Sequence, residues 1–167
     1  MNAAESRNEF SRSKLAMSLD YIFGRETSKS LNFGTMDFKY SRRTGRLKYI
    51  IEKSSNKILF TFRPNGTIAP TILGAKHLIS GKNISDVRTR PKWTITVIDG
   101  VSDFISKGRT VFCKHVVYCS DLLRPGDDVT ILNESGIMLA TGKSLLAGPV
   151  LKQFKRGSAV KIREGAL

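Results

Sequence analysis

Two groups of basic residues are the strongest candidates for a functional site in the sequence. Their side chains are suited to binding and neutralising phosphate groups. The run Arg42-Arg43-Thr44-Gly45-Arg46 places three arginines in five positions and contains no carboxylate. A second group lies near the end of the sequence and comprises Lys152, Lys155, Arg156, Lys161 and Arg163. Guanidinium groups bind phosphate oxygens through paired hydrogen bonds. Both groups therefore predict contacts with nucleic acid, and the alternative for both is a solvated, charged face.

The acidic and nucleophilic residues do not form a recognisable catalytic set. Asp127 and Asp128 are adjacent, so in a strand they would point to opposite faces and could not act as a paired acid and base. Asp127 fits a turn after Pro125-Gly126. The run Gly142-Lys143-Ser144 contains only the end of a phosphate-binding loop motif. No independent enzymatic activity is expected, and a small enzyme with an unrecognised site in the first half is the alternative.

A metal site is not expected either. The sequence contains only Cys113, His115, Cys119 and His77 as soft or imidazole ligands. A structural zinc site usually has four ligands at close, CxxC-like spacings. Partly buried structural roles are therefore the preferred interpretation of these residues, and we expect no cofactor.

Length and charge narrow the classes of partner. The chain has 167 residues and a formal net charge of +14, with a pI near 10.1, which favours polyanionic partners. We find no apolar run of a membrane-spanning length and no apolar signal segment in the polar N-terminus. No strongly basic amphipathic helix predicts a membrane anchor. The expectation is a cytoplasmic protein that binds nucleic acid and no membrane.

The first half predicts a small α+β module over residues 14–88, after a flexible tail at 1–13. Apolar residues at spacings of three and four predict a helix from Ser13 to Gly24. Strands at 36–40 and 47–51 flank the arginine run as a hairpin, and Tyr40 and Tyr49 beside the turn favour cross-strand packing over base stacking. A strand at 58–62 and a helix at 70–79 follow.

The second half predicts a small β-barrel over residues 89–167. Polar, turn-rich residues 81–91 separate the two modules, and Trp93 is expected in the core. Short helices are predicted at 101–107 and 149–154. Several short strands with frequent turns indicate a barrel or sandwich, with strands expected at 93–99, 109–118, 128–133, 136–147 and 158–163.

The order of motifs in the second half resembles a known family. Lys107-Gly108-Arg109 is followed in turn by VFCKHVV, DLLRPGDDVTILN, GIMLATGKSLL and FKRGSAVKIREG. This order closely resembles the PUA domain, a pseudobarrel found in RNA-modifying enzymes, over about residues 92–165.

The first half resembles a narrower family through YIFGRETSKSLNF, SRRTGRLKYI and TIAPTILGAKHLI. These runs are similar to the module before the PUA domain in archaeal tRNA-guanine transglycosylases, which make the archaeosine precursor in the D-arm of tRNA. In that family a (β/α)8 barrel carries the catalytic aspartates and zinc, and such a barrel takes roughly 200 residues or more. The resemblance therefore implies a noncatalytic, tRNA-binding part of that enzyme.

The resemblance also implies an RNA-binding groove in the second half. Lys107, Gly108 and Arg109 would form one side of the groove. Lys155, Arg156, Gly157, Ala159 and Lys161 would form the other side. Gly108 lacks a Cβ, so its backbone could approach a phosphate closely, and it could also cap the preceding helix.

Three functions follow from the sequence. The first is a noncatalytic subunit that delivers tRNA to a separately encoded transglycosylase, with the barrel on the acceptor stem and 3′ end and the first module near the D-arm. The second is a stand-alone RNA-binding factor in ribosome or translation work. The third is the small enzyme considered above.

Overall fold

A computed structural model describes residues 3–167, with side-chain surroundings from residue 5 onward. The chain divides into two compact units, Met1–Ser80 and Gly81–Leu167. Both units mix helix and sheet, so the predicted α+β class is confirmed.

The first unit opens with a long helix that packs one side against a four-stranded sheet. Helix α1 spans Ala3–Phe23, and its residues Leu15, Leu19 and Phe23 are buried at the four-residue spacing of one helix face. The antiparallel sheet has the order β1 to β4, with β1 at Met36–Tyr40, β2 at Leu47–Glu52, β3 at Ile58–Phe62 and β4 at Ile68–Pro70. The predicted hairpin and third strand are thus confirmed.

A short helix completes this unit. Helix α2 spans Ile72–Ile79, and the hydroxyl of Thr71 caps it by accepting the Gly74 N–H at 3.2 Å. Pro70 belongs to β4 and lies outside the helix. Ile50, Phe60 and Leu78 are fully buried and lie in the core of the unit.

The second unit contains a six-stranded sheet with two short α-helices. In chain order the elements are β5 Thr94–Val97, α3 Ser102–Ser106, β6 Val111–Phe112, β7 Val116–Cys119, β8 Asp128–Asn133, β9 Met138–Ser144, α4 Gly148–Gln153 and β10 Ser158–Gly165. The strand order is β6-β10-β9-β8-β5-β7, with β5 parallel to β8 and the other neighbours antiparallel. The inward side chains of Ile95, Ile131 and Val160 are fully buried, and Trp93 is buried as predicted.

The structure corrects the sequence-based prediction in two places. Residues 3–13 belong to α1, so the predicted tail is helical from Ala3 onward. The predicted strand at 109–118 is two short strands, β6 and β7, separated by a 3-10 turn at Cys113–His115. This turn directs the buried thiol of Cys113 into the core.

No described helix combines the length and the apolar character that are needed to cross a membrane. Within residues 3–167, no group of three or more histidine, cysteine or carboxylate side chains is arranged to hold a metal ion.

Candidate nucleic-acid interface

The arginine run forms the tip of the β1–β2 hairpin, as predicted. The Ser41 N–H donates to the Arg46 carbonyl at 2.8 Å, and the Gly45 N–H donates to the Ser41 carbonyl at 2.8 Å. Gly45 has a φ of 64°, a conformation that glycine adopts without strain. This tight turn leaves the side chains of Arg42, Arg43 and Arg46 exposed to solvent.

The N-terminal part of α1 holds this hairpin in place. The guanidinium of Arg7 donates to the Gly45 carbonyl at 2.7 Å and stacks over the Tyr40 ring, 3.8 Å from its centroid. The Tyr40 hydroxyl shares a hydrogen bond of 2.8 Å with the Ser11 hydroxyl. Tyr40 therefore has a structural role beside the tip, and the predicted tail is the element that restrains it.

In the second unit, Lys107, Gly108 and Arg109 follow α3 and lie at the surface. The Gly108 N–H donates to the Ile105 carbonyl at 2.9 Å, and Gly108 has a φ of 83°. The residue therefore ends the helix in the left-handed conformation. No described heavy atom lies within 4 Å of the position that a Cβ would occupy. Gly108 can therefore cap the helix and also leave its backbone accessible to a ligand.

The last residue of strand β10 lies against this loop. A Cβ on Gly165 would lie 2.1 Å from the Ser106 carbonyl oxygen and 2.9 Å from the Gly108 nitrogen, so the two backbones are in direct contact there. At the other end of β10, the Cys113 N–H donates to the Gly157 carbonyl at 3.0 Å. The loop and the short edge strand β6 therefore lie along β10 at one edge of the sheet.

The predicted groove residues lie along this edge, which we call the basic edge, rather than in one compact cluster. Lys107 and Gly108 lie near the end of β10, whereas Lys155, Arg156 and Gly157 precede its start. The eight-residue separation from 157 to 165 corresponds to about 26 Å in a strand. The basic edge is therefore long enough to follow several nucleotides of a polynucleotide.

Two of the predicted residues on strand β10 differ in their exposure to solvent. Ala159, a predicted RNA contact, is fully buried, and its carbonyl accepts the Leu145 N–H at 2.9 Å, so its side chain lies in the core. Lys161 is exposed and lies opposite Lys143 on β9, which is also exposed. Facing cations destabilise a sheet. Such a pair is typical of a surface that binds an anion.

Two cations of the C-terminal group have carboxylate partners. The Lys152 ammonium lies 2.8 Å from an Asp121 carboxylate oxygen, and this contact raises the pKa of Lys152. The Arg163 guanidinium lies 2.5 Å from a carboxylate oxygen of Asp128, which is buried. These two cations stabilise the unit itself, which leaves Lys155, Arg156 and Lys161 as the candidates for phosphate contact.

Three exposed aromatic residues along this surface were not predicted as site residues from the sequence. Phe104 on α3, Phe112 on β6 and Phe154 after α4 are exposed by 64%, 45% and 52%. Phe112 is the direct cross-strand partner of Ser158 on β10. Aromatic faces next to cations are typical of surfaces that bind unpaired bases. The sequence feature that could have predicted them is their spacing. Each phenylalanine lies within four residues of a predicted phosphate-binding residue.

Burial and local hydrogen bonds shift the pKa of several titratable groups. Burial raises the pKa of the Cys113 and Cys119 thiols and, with the charge of Lys114, lowers the pKa of His115. Hydrogen bonds from Ser55 and then His77 lower the pKa of Glu52. Each shift therefore has a local structural cause.

Comparison with known proteins identifies both units. The family model "PUA domain" matches residues 93–166, and "Patch-forming domain C2 of tRNA-guanine transglycosylase" matches residues 13–82. The tRNA-guanine(15) transglycosylase of Thermococcus onnurineus is 35% identical over 87% of this chain, which covers 24% of that protein. That of Methanocaldococcus jannaschii is 37% identical over 75% of the chain, which covers 18% of it. The chain thus spans about a quarter or less of the length of these relatives.

Solved structures agree on the fold. A hypothetical protein from Pyrococcus horikoshii matches with a TM-score of 0.70 and 27% identity, over 93% of this chain and 89% of that one. A PUA domain protein from Aeropyrum pernix matches with a TM-score of 0.62 and 18% identity, over 99% and 84% of the two chains. The chain is therefore similar, in order, to a patch-forming domain C2 of tRNA-guanine transglycosylase over residues 13–82 and to a PUA domain over residues 93–166.

Proposed function

We propose that the chain is a noncatalytic, tRNA-binding part of a tRNA-guanine transglycosylase, and that it works with a catalytic chain that is encoded separately. The observation that carries the proposal is the match of both units, in order, to the two domain types. The relatives that share them are named for modification of guanine 15 in tRNA. The PUA domain would then bind the acceptor stem and 3′ end of tRNA, and the first unit would contact the D-arm.

The surfaces of the two units support this division. The basic edge carries Lys107, Arg109, Lys155 and Arg156 together with exposed aromatic rings, a combination suited to an unpaired RNA end. The first unit presents the exposed arginines of a braced hairpin, which suit a phosphate backbone. Extruding a base from folded RNA costs a few kcal/mol, and phosphate contacts from both units can offset that cost.

Reconstitution with the catalytic chain tests the proposal. We expect the two proteins to elute together in gel filtration, and guanine exchange into tRNA to require both of them. The Lys155→Gln, Arg156→Gln variant should retain the complex and weaken tRNA binding about tenfold. A Lys53→Gln, Lys57→Gln variant in the first unit is the charge-matched control. Failure of the two proteins to associate, with ribosomal subunits purifying with the chain from cells instead, would favour a translation factor.

A further inference from the structure

Helix α1 has a second apolar face, which is open to solvent. Phe10, Met17 and Tyr21 are exposed by 69%, 67% and 87%. Their spacings of seven and four residues place them on one side of the helix, within about 40° of arc and over a length of about 16 Å. The buried face of the helix lies on the opposite side. We call these three residues the apolar stripe.

The apolar stripe is large enough to form the centre of an interface. A surface helix ordinarily has one apolar face and a polar face opposite to it, and a helix that is apolar on both sides is covered on both. At about 150–250 Å² for a large aromatic side chain, the stripe presents roughly 400 Å² of apolar surface. That is roughly half of the area that each partner buries in a stable protein–protein interface.

The residue types in the stripe favour a protein over RNA as the molecule that covers it. Phenylalanine, tyrosine and methionine are enriched in protein interfaces, and Met17 in the middle offers no ring for base stacking. The two cations beside the stripe are directed towards rings of the sheet. Arg7 lies over Tyr40 at 3.8 Å and Lys14 over Phe62 at 5.6 Å from the ring centroids. The stripe itself therefore lacks the pairing of rings and cations that is typical of single-strand binding.

Charge separates two possible protein partners. A second copy of the chain would bring a net charge of +14 against an equal charge, and repulsion of that size favours the monomer. Because Arg7 and Lys14 flank one side of the stripe, the complementary surface is apolar with carboxylates at its rim. A different protein with such a surface would fit better than a second copy.

The comparison with the transglycosylase relatives indicates which protein would need this surface. The chain spans about a quarter or less of the length of those relatives. Parts of one polypeptide are held at an effective concentration in the millimolar range, whereas separate chains must obtain their association from contacts. A chain that works with a separate catalytic protein therefore requires an interface that a single polypeptide does not.

The position of the stripe along α1 agrees with such a requirement. The match to the patch-forming domain begins at residue 13, whereas α1 begins at Ala3. Met17 and Tyr21 thus lie within the matched domain, and Phe10 lies on a stretch of helix before it. This stretch of helix lengthens the apolar stripe beyond the shared domain.

We propose that the apolar stripe of α1 is the docking surface for the separately encoded catalytic chain. The inference rests on the proposed function and deepens it, because it assigns the contact between the two chains to one face of one helix. The stripe contains none of the cations that are proposed to bind RNA, so docking and RNA binding can be tested separately.

Oxidation of the methionines by dilute peroxide, in the full chain, tests the inference directly. Met17 should oxidise readily in the free chain, and the buried Met36 is the slow internal reference. A saturating amount of the catalytic chain should slow the oxidation of Met17 by about fivefold or more, since a covered thioether reacts slowly. Saturating tRNA alone should leave the rate unchanged.

A variant without the stripe provides a second measurement. Met17→Gln, Tyr21→Gln removes apolar surface without a change of charge, and glutamine is a good helix former, so the far-UV circular dichroism should be retained. The dissociation constant for the catalytic chain should rise about tenfold or more, while the affinity for tRNA alone stays at the wild-type value. Leu122→Gln, Ile137→Gln removes two similarly exposed apolar residues from the second unit and is the control.

The outcomes distinguish this inference from the proposed function. A complex in which Met17 oxidises at the rate of the free chain, or which the Met17, Tyr21 variant forms with wild-type affinity, would overturn the inference alone. Protection of Met17 by tRNA would mean that RNA covers the stripe. Protection that grows with the concentration of the chain by itself would mean that a second copy does, and either result would overturn the inference. Absence of any complex would overturn the proposed function as well.

Discussion

The guanidinium of Arg90 is buried, with 5% of the residue exposed, and donates to four oxygens at 2.8 Å. Three are the main-chain carbonyls of Ile84, Asn133 and Glu134, and the fourth is the Thr96 hydroxyl. Burial lowers the pKa of Arg90 from its ordinary value. One side chain thus joins the segment before β5 to the turn after β8.

Replacing this side chain should destabilise the second unit. Arg90→Met would leave several buried carbonyls without a donor, and we expect the free energy of unfolding to fall by about 3 kcal/mol. The fluorescence of Trp93, the only tryptophan, reports on this unit during urea denaturation. Arg88→Met removes an exposed arginine nearby and should change the midpoint little. Equal midpoints for the two variants would contradict the role of Arg90.

The two buried thiols predict a pH dependence of stability. Burial raises the pKa of Cys113 and Cys119 in the folded state, so folding favours the protonated thiols. Their contribution to stability is complete below the pKa of an unfolded thiol, about 8.5, and is lost as the pH rises through the folded pKa.

A comparison of the wild type with a variant that lacks both thiols isolates their contribution to stability. The denaturation midpoint reported by Trp93 should fall between about pH 8 and 10 in the wild type, and less steeply in the Cys113→Ala, Cys119→Ala variant. Native thiols should also react slowly with an alkylating reagent at neutral pH, and quickly after unfolding. Identical slopes for the two proteins would refute the assignment.

At the scale of elements, helix α1 shows what the sequence could and could not predict. Its second half was predicted because Leu15, Leu19 and Phe23 mark a buried face. Its first half has no apolar period, and its described contacts are polar ones, from Arg7 and Ser11 to the hairpin. Such contacts depend on a partner 29 or 38 residues away, which local patterns do not reveal.

The candidate site residues show the same difference between local patterns, which could be predicted, and long-range packing, which could not. The charged tip at 42–46 was predicted because a hairpin needs only a local turn. The burial of Ala159 was missed because it depends on the pairing of β10 with two neighbours and on the irregular register beside it. Patterns close in sequence were therefore informative, and the packing between distant strands was not.

The restraint of the hairpin by α1 gives a prediction for local dynamics. Arg7→Gln would remove the stacking on Tyr40 and weaken the contact with the Gly45 carbonyl, a loss of about 1 kcal/mol. We expect amide hydrogen exchange at the tip to become about fivefold faster. Arg12→Gln changes an exposed arginine on the same helix and serves as the control. Unchanged exchange at Gly45 in the Arg7 variant would show that α1 does not restrain the tip.

The contact between β10 and the loop at 106–108 gives a prediction for stability and RNA binding. A Cβ at Gly165 would lie 2.1 Å from the Ser106 carbonyl oxygen, so Gly165→Ala must displace the loop that carries Lys107. We expect a loss of about 2 kcal/mol in stability and weaker RNA binding. Gly100→Ala has no described neighbour within 4 Å and should leave both properties unchanged. Wild-type RNA affinity in the Gly165 variant would separate this loop from RNA binding.

For the whole molecule, the excess of positive charge is shared by the two units. Met1–Ser80 contains 14 lysines and arginines against 6 carboxylates, and Gly81–Leu167 contains 14 against 8. Each unit by itself would therefore attract a polyanion. If RNA is the polyanion, as proposed, its binding should depend strongly on salt.

The most direct test of the central claim is an equilibrium titration of the whole chain, across a salt series, with three labelled RNAs. These are intact tRNA, tRNA without its 3′ CCA, and a plain duplex of equal length. A tRNA-binding subunit should bind intact tRNA most tightly, and removal of the CCA should weaken binding by about tenfold or more. Equal affinity for all three RNAs, with a steep salt slope, would show attraction by charge alone and would contradict the account.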